Sequence, residues 1–319
     1  MRPAFSVIFF TVCSGAGLGL FIALAIIDAS GWLGGFSRSA MIGSIVFALG
    51  MVALGLVAST FHLANRKNAW RAFKQWKYSW LSREAVAAVM FFVAALAYLA
   101  CVAFDLGWAL RISVLVVAVL LAWFVLLCTG MIYACLRTIP QWHTLLTPAA
   151  YLALGHYSGM LILLPIGVID QRPLLPLAAI TLLLLGISGV IKALYFHKFS
   201  GTNIGPDVAH AIGATIGMTA ARAKLLDAGH SHGTFLTNEF MFTLARHHAK
   251  TLRYAAMVAS FFVPLLALGS LTFGVALDSV VLWMIVALVG MGGLLVERWL
   301  FFAEARHVVR LYHGEPAHR

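Results

Sequence analysis

Residues 59–84 read STFHLANRKNAWRAFKQWKYSWLSRE. Six Lys/Arg (Arg66, Lys67, Arg71, Lys74, Lys77, Arg83) and three tryptophans (Trp70, Trp76, Trp80) crowd into this stretch, which is bracketed by two titratable side chains, His62 and Glu84. Apolar runs lie on either side, at about 39–61 and about 84–104, each long enough to cross a bilayer as a helix of roughly 20 residues. A charged, tryptophan-rich segment between two such runs reads as a loop at a membrane surface. The chain is therefore an all-α polytopic membrane protein.

The rest of the sequence extends that reading. Of the 319 residues, 62% are hydrophobic and only 10% are charged, with a mean hydropathy of +0.95. A soluble domain is about half apolar and about a quarter charged. Eight apolar runs are visible, at about 4–27, 39–61, 84–104, 109–133, 149–169, 173–196, 252–275 and 279–302, and they predict a single membrane domain built as a bundle of eight transmembrane helices. Asp105 to Gly107 and Asp170 to Pro173 leave room only for tight hairpins between runs three and four and between five and six. The first run lacks a small-residue cleavage pattern, so it reads as a retained helix. Gly15 and Gly19 give it one small-residue face, suited to close packing inside the bundle.

An even number of crossings puts both termini on one side. Of the 22 Lys/Arg, all except Arg38, Arg111 and Arg172 fall on that side, so both termini are expected in the cytoplasm of a bacterium, with the inner membrane as the location. The net charge of +11 thus has a topological meaning and does not point to nucleic acid. The long segment 197–250 lies on the same side and carries two helix-like pieces, Asp207 to Ala228 and Thr237 onward, so it reads as a helical cytoplasmic loop that covers or docks something.

Few metal or haem arrangements fit. Cys13, Cys101, Cys128 and Cys135 are scattered through or beside apolar runs with no C-x-x-C pair, so they read as small apolar packers and not as ligands of an iron–sulfur cluster or zinc. A bis-histidine haem needs two imidazoles facing each other from within helices, and only His156 lies inside a run. His156 with Tyr157 reads as a hydrogen-bonded core pair or as the lining of a quinone channel. His230, His232, His247 and His248 have no acid or thiol to complete a metal set. Trp70, Trp76 and Trp80 with their basic neighbours suit a membrane interface in contact with lipid headgroups. His62 and Glu84 remain as a histidine and a carboxylate at one membrane surface, able to exchange protons with a lipid-borne partner.

The residues around this pair also carry a family likeness. STFHL (59–63), WRAF (70–73) and SWLSRE (79–84), followed by RTIPQWHTLLTP (137–148) and LARHHAKTLR (244–253), resemble the DMSO reductase membrane-anchor family, which includes the membrane subunits of cytoplasmic sulfite dehydrogenases. Ala64 stands where that family usually has glycine. The resemblance implies a quinone, ubiquinone or menaquinone, reacting at His62 and Glu84, and Arg66, Trp70, Arg71 and Ser82 are added as cofactor-binding residues by proximity. It also implies a four-cluster iron–sulfur subunit on the cytoplasmic face and, through it, a molybdopterin catalytic subunit. Such a protein is quinone-reactive but does not itself turn over the complex's substrate. A cytoplasmic docking face ranks sulfite oxidation ahead of a DMSO-type reductase oxidising menaquinol. A transporter or channel is the rival from another class; it would want ionisable residues deep in the membrane, whereas Asp28, Asp105, Asp170 and Asp278 fall at the ends of runs.

Overall fold

The structure, a computed structural model, describes residues 3–61, 66–199, 244–275 and 279–307; the side chains of 66–69, 72 and 244–247 are not among those described. Eight helices are long and apolar enough to cross a membrane. In chain order they are α1 (Phe5–Ser30), α2 (Arg38–Thr60), α3 (Trp80–Ala103), α4 (Trp108–Ala134), α5 (Leu146–Ile169), α6 (Leu174–Phe199), α7 and α8 (Val280–Ala303). α7 is assembled from Leu244–Met257, a π-helical turn Val258–Phe262 and Val263–Thr272. Among the described residues there is no strand.

α1 is the axis of the bundle. It is apolar on every side, and a helix of that kind is buried on every side; from Ile8 to Ile27 nearly all of its residues are enclosed. α2, α4, α5 and α8 pack around it. The small-residue face expected at Gly15 and Gly19 meets a second one, Gly155 and Gly159 of α5. A Cβ at Gly19 would fall on the Gly155 carbonyl, and one at Gly159 would lie 2.2 Å from the Leu20 nitrogen. Without side chains at these positions the two backbones touch, which is how helices associate where no water drives them together.

Four residues separate α3 from α4 and four separate α5 from α6. Asp105 and Gln171 take positive φ, 53° each, to close these turns. The arginines at this end are all engaged. Arg111 binds Asp28, which also accepts from the Tyr98 hydroxyl at 2.7 Å; Arg172 binds Asp170 at 2.7 Å; Arg38 donates to the Val102 carbonyl at 3.1 Å. Burial disfavours the Asp170 carboxylate, but hydrogen bonds from the Ser37 hydroxyl and backbone N–H, and then Arg172, hold it below the usual carboxylate range.

The opposite end, which carries the termini, is plugged by the segment after α4. Trp142 is buried and donates from its indole to the Phe301 carbonyl at 3.0 Å, and Thr147 donates back to the Trp142 carbonyl at 2.8 Å. Tyr133, Phe301 and Phe302 surround that indole ring, and Tyr151 stacks on Tyr133 behind them. Most of the long segment read as a helical loop, including Asp207 to Ala228 and Thr237 to Thr243, lies outside the described residues; α6 runs on to Phe199 and α7 starts at Leu244.

Candidate functional site

α3 begins at Trp80, four residues earlier than its apolar run suggests, so Glu84 lies within the helix and not at its mouth. The approach to it is a 3-10 stretch, Arg66–Gln75, with Trp70 and Trp76 about half exposed (54% and 53%) and the Lys74 ammonium 4.7 Å from the Trp70 ring centroid. Cations over tryptophan at a helix entry suit the headgroup layer. Arg83 fastens this approach to the helix: its guanidinium donates to the Trp76 carbonyl at 3.1 Å and the Lys77 carbonyl at 2.7 Å, and lies 4.4 Å over the Trp80 ring.

Past Arg83 the backbone turns inward. Glu84, Ala87, Ala88, Phe91, Ala95 and Tyr98 form one stripe at helical spacing, and all six are buried. Glu84 opens the stripe at 3% exposure, and Ser82 beside it is 2% exposed. The Glu84 carboxyl is bonded to the Thr129 hydroxyl of α4, which also donates to the Val125 carbonyl at 2.9 Å. Thr129 has one hydrogen for these two acceptors. It can share that hydrogen between them, or give it to the Val125 carbonyl while a protonated Glu84 donates to the hydroxyl oxygen. Glu84 is thus a buried carboxyl set up to give up or take back a proton, one turn inside the bundle.

The six residues named from sequence are spread over three settings. Ser82 and Glu84 are inside the bundle; Trp70 and Arg71 are exposed on the 3-10 stretch, with Arg71 lying 5.9 Å over the Trp70 ring; Arg66 opens that stretch, and His62 lies outside the described residues.

Sequence reasoning missed a second polar group at the same end. Lys192 of α6 and Glu297 and Arg298 of α8 are 1%, 1% and 4% exposed, although Lys192 and Arg298 entered the sequence reading only in the count of basic residues by side. Glu297 accepts from Lys192 and from Arg298, the latter at 2.8 Å, and Arg298 lies 4.6 Å over the Tyr151 ring. The one available signal was a Glu-Arg pair set inside an otherwise apolar run. Beside Asp28, Asp105, Asp170 and Asp278, the acids placed at the ends of runs, Glu297 is one that sits in the interior of α8.

His156 does not pair with Tyr157. An indole N–H can only donate, so Trp123, at 2.8 Å, makes His156 Nε2 an acceptor, and Nδ1 then donates to the Leu152 carbonyl at 2.7 Å. Tyr157, the partner expected from sequence, instead donates to the Ser260 carbonyl in the π-helical turn of α7.

The sequence profile of the DMSO reductase anchor subunit family (DmsC) matches residues 1–304. The protein belongs to this family. The C subunit of the sulfite dehydrogenase of Allochromatium vinosum is 35% identical over 341 aligned positions that take in 99% of this protein and 100% of the relative. The C polypeptide of the anaerobic dimethyl sulfoxide reductase of Escherichia coli is 27% identical over 189 positions, 58% of this protein and 66% of the relative. Membership makes the eight-helix bundle a membrane anchor. It also decides against the transporter reading, despite the ionisable residues buried in α6 and α8.

Proposed function

We propose that this anchor exchanges electrons and protons with the membrane quinone pool at Glu84 and His62, and that its terminal end seats an iron–sulfur subunit relaying electrons to or from a molybdopterin subunit. The observation that carries the proposal is the Glu84 carboxyl, buried one turn into α3 with a hydroxyl partner. Quinone reduction takes up two electrons and two protons, and quinol oxidation releases them. Glu84 serves as one proton donor or acceptor at a quinone oxygen, and His62, which follows α2 in the sequence, serves as the other. Trp70 and Arg71 line the approach on the surface side, where an isoprenoid quinone and lipid headgroups meet the loop, Arg66 precedes them in the sequence, and Ser82 lies beside Glu84 inside.

The bias of Lys/Arg toward the terminal end supports cytoplasmic termini and a docking face in the cytoplasm of a bacterial inner membrane. Of the substrates open to such a complex, sulfite is favoured by the full-length likeness to the sulfite dehydrogenase relative. A reductase that oxidises menaquinol is the second reading, and it rests on the shorter likeness to the dimethyl sulfoxide reductase polypeptide.

The test is kinetic. His62→Ala and Glu84→Gln should each leave the complex assembled and its reaction with a soluble dye unchanged, and slow electron exchange with quinone at least about tenfold, the lower part of the range for a proton-transfer group. Normal quinone kinetics in both variants would overturn the assignment.

A further inference from the structure

Glu84 has neighbours that the quinone reading does not use. Tyr133 of α4, one helical turn on from the Thr129 hydroxyl that is bonded to Glu84, stacks on Tyr151 of α5, with ring centroids 5.7 Å apart and planes 15° apart. Beyond Tyr151 come Arg298, Glu297 and Lys192, joined to one another as described above. Groups able to hold or pass a hydrogen therefore run from α3 across α4, α5 and α8 to α6. At the far side Glu304, partly exposed and paired with Arg253 at 2.9 Å, reaches the terminal rim, and the Arg253 guanidinium and the Lys192 ammonium lie over the same Phe196 ring, 5.4 and 4.7 Å from its centroid.

Two further features go beyond charge pairing. The Tyr151 hydroxyl is buried and has no hydrogen-bond partner among the described residues. Tyr151 also lines a cavity of ≈ 20 Å³ together with Thr11, Gly15, Ser158, Glu297 and Arg298. That volume holds about one water, and polar side chains around it offer the two to four hydrogen bonds a buried water makes. Lys192 and Arg298 outnumber Glu297 by one positive charge, which suits a ligand that presents oxygen.

We propose that this cavity holds a water, and that Tyr133, Tyr151, that water and the Lys192, Glu297 and Arg298 cluster form a proton relay between Glu84 and the terminal rim. The relay rests on the quinone reading and deepens it. When the quinone takes two electrons from the partner subunit, Glu84 gives one of the two protons to a quinone oxygen. Each hydroxyl in the relay then accepts a hydrogen on its oxygen as it releases its own, so Tyr133, Tyr151 and the water are unchanged after one passage. The proton is made good from bulk water near Glu304. No electron passes along the relay, and quinol oxidation runs it backwards.

Tyr151→Phe keeps the ring and its stacking on Tyr133 and removes only the hydroxyl, which makes no hydrogen bond of normal geometry among the described residues. In the assembled complex this variant should slow quinone-linked turnover about tenfold and raise its solvent deuterium isotope effect, with dye-linked turnover unchanged. Replacing Lys192 and Glu297 together by Met, which removes both charges at once, should do the same; if that pair fails to assemble, Tyr151→Phe decides alone. Normal quinone-linked turnover in Tyr151→Phe beside a slow Glu84→Gln would overturn the relay and leave the quinone site standing. Normal turnover in Glu84→Gln would remove the quinone site, and the relay with it.

Discussion

Gly159→Ala tests the axis of the bundle. The added methyl would lie 2.2 Å from the Leu20 nitrogen and 2.3 Å from the Gly19 carbonyl carbon, both backbone atoms of α1. Comfortable contact begins near about 3.5 Å, so α1 and α5 must part by roughly 1.2 Å. α1 has nowhere to retreat, because α2 presses its other side: a Cβ at Gly17 would lie 2.7 Å from the Ala48 carbonyl oxygen, and one at Gly55 2.9 Å from the Ser14 nitrogen. Overpacking a core costs about 1–3 kcal/mol. With backbone on both sides of the clash, the upper end applies, about 3 kcal/mol, or more than a hundredfold in the ratio of folded to unfolded protein. Gly186→Ala and Gly292→Ala are the controls: a methyl at either meets nothing within 4 Å, and relief of glycine's excess freedom should stabilise by about 0.5–1 kcal/mol. Thermal unfolding of the detergent-solubilised protein, followed by near-ultraviolet circular dichroism, measures both. A Gly159→Ala protein that melts with the controls would refute the close approach of α1 and α5.

Other expectations are open to simpler measurements. A reporter that is active only outside the cytoplasm should be silent when fused after Arg319 and active at 170–173, and the reverse pattern would invert the proposed orientation. Asp170 is held below its ordinary range in the folded protein. Its contribution to stability is thus present above an unfolded-state pKa of about 3.9 and is lost as pH falls through the lower folded value. Acid unfolding in detergent should accordingly be less steep for Asp170→Asn than for the parent protein below about pH 4, and identical profiles would show that the carboxylate contributes nothing.

Much of this architecture was legible because the membrane leaves few alternatives. Apolar runs of about 20 residues must become helices there, and so eight runs become eight helices. Gly15 and Gly19 were legible for a related reason, since small residues four apart mark close helix packing. Glu84 could be named from its place at the head of a run, but its depth could not, because α3 starts at Trp80 and recruits polar residues into its first turn. Thr129 looks like any threonine within an apolar helix until α3 is packed beside it. Lys192 and Arg298 were hidden by the rule that worked for topology. Counting basic residues by side assigns them to the terminal end, yet gives no sign that their side chains are enclosed between α6 and α8. His156 and Tyr157 were paired by adjacency, whereas neighbours on a helix point about 100° apart and find partners on different helices.

The buried cluster is hard to explain by stability. Withdrawing an ion from water costs several kcal/mol even after relaxation, and apolar side chains of similar volume are often as good at holding helices together. Here three ions are withdrawn and only one is negative, so one charge is left without an opposite number in the cluster. A clamp between α6 and α8 would need Lys192 and Glu297 but not Arg298, and it would have no use for an unpartnered Tyr151 hydroxyl beside a water-sized cavity. A conduit for protons uses all four: a carboxylate to accept, hydroxyl and water to pass on, and fixed positive charge to keep the carboxylate in place. The same end of the bundle holds Glu84, a buried carboxyl whose hydroxyl partner can accept its proton or donate to it. Taken together, the polar residues tolerated inside this apolar bundle make chemical sense as one system serving Glu84, whereas as separate structural pairs they would each stand as an unexplained cost.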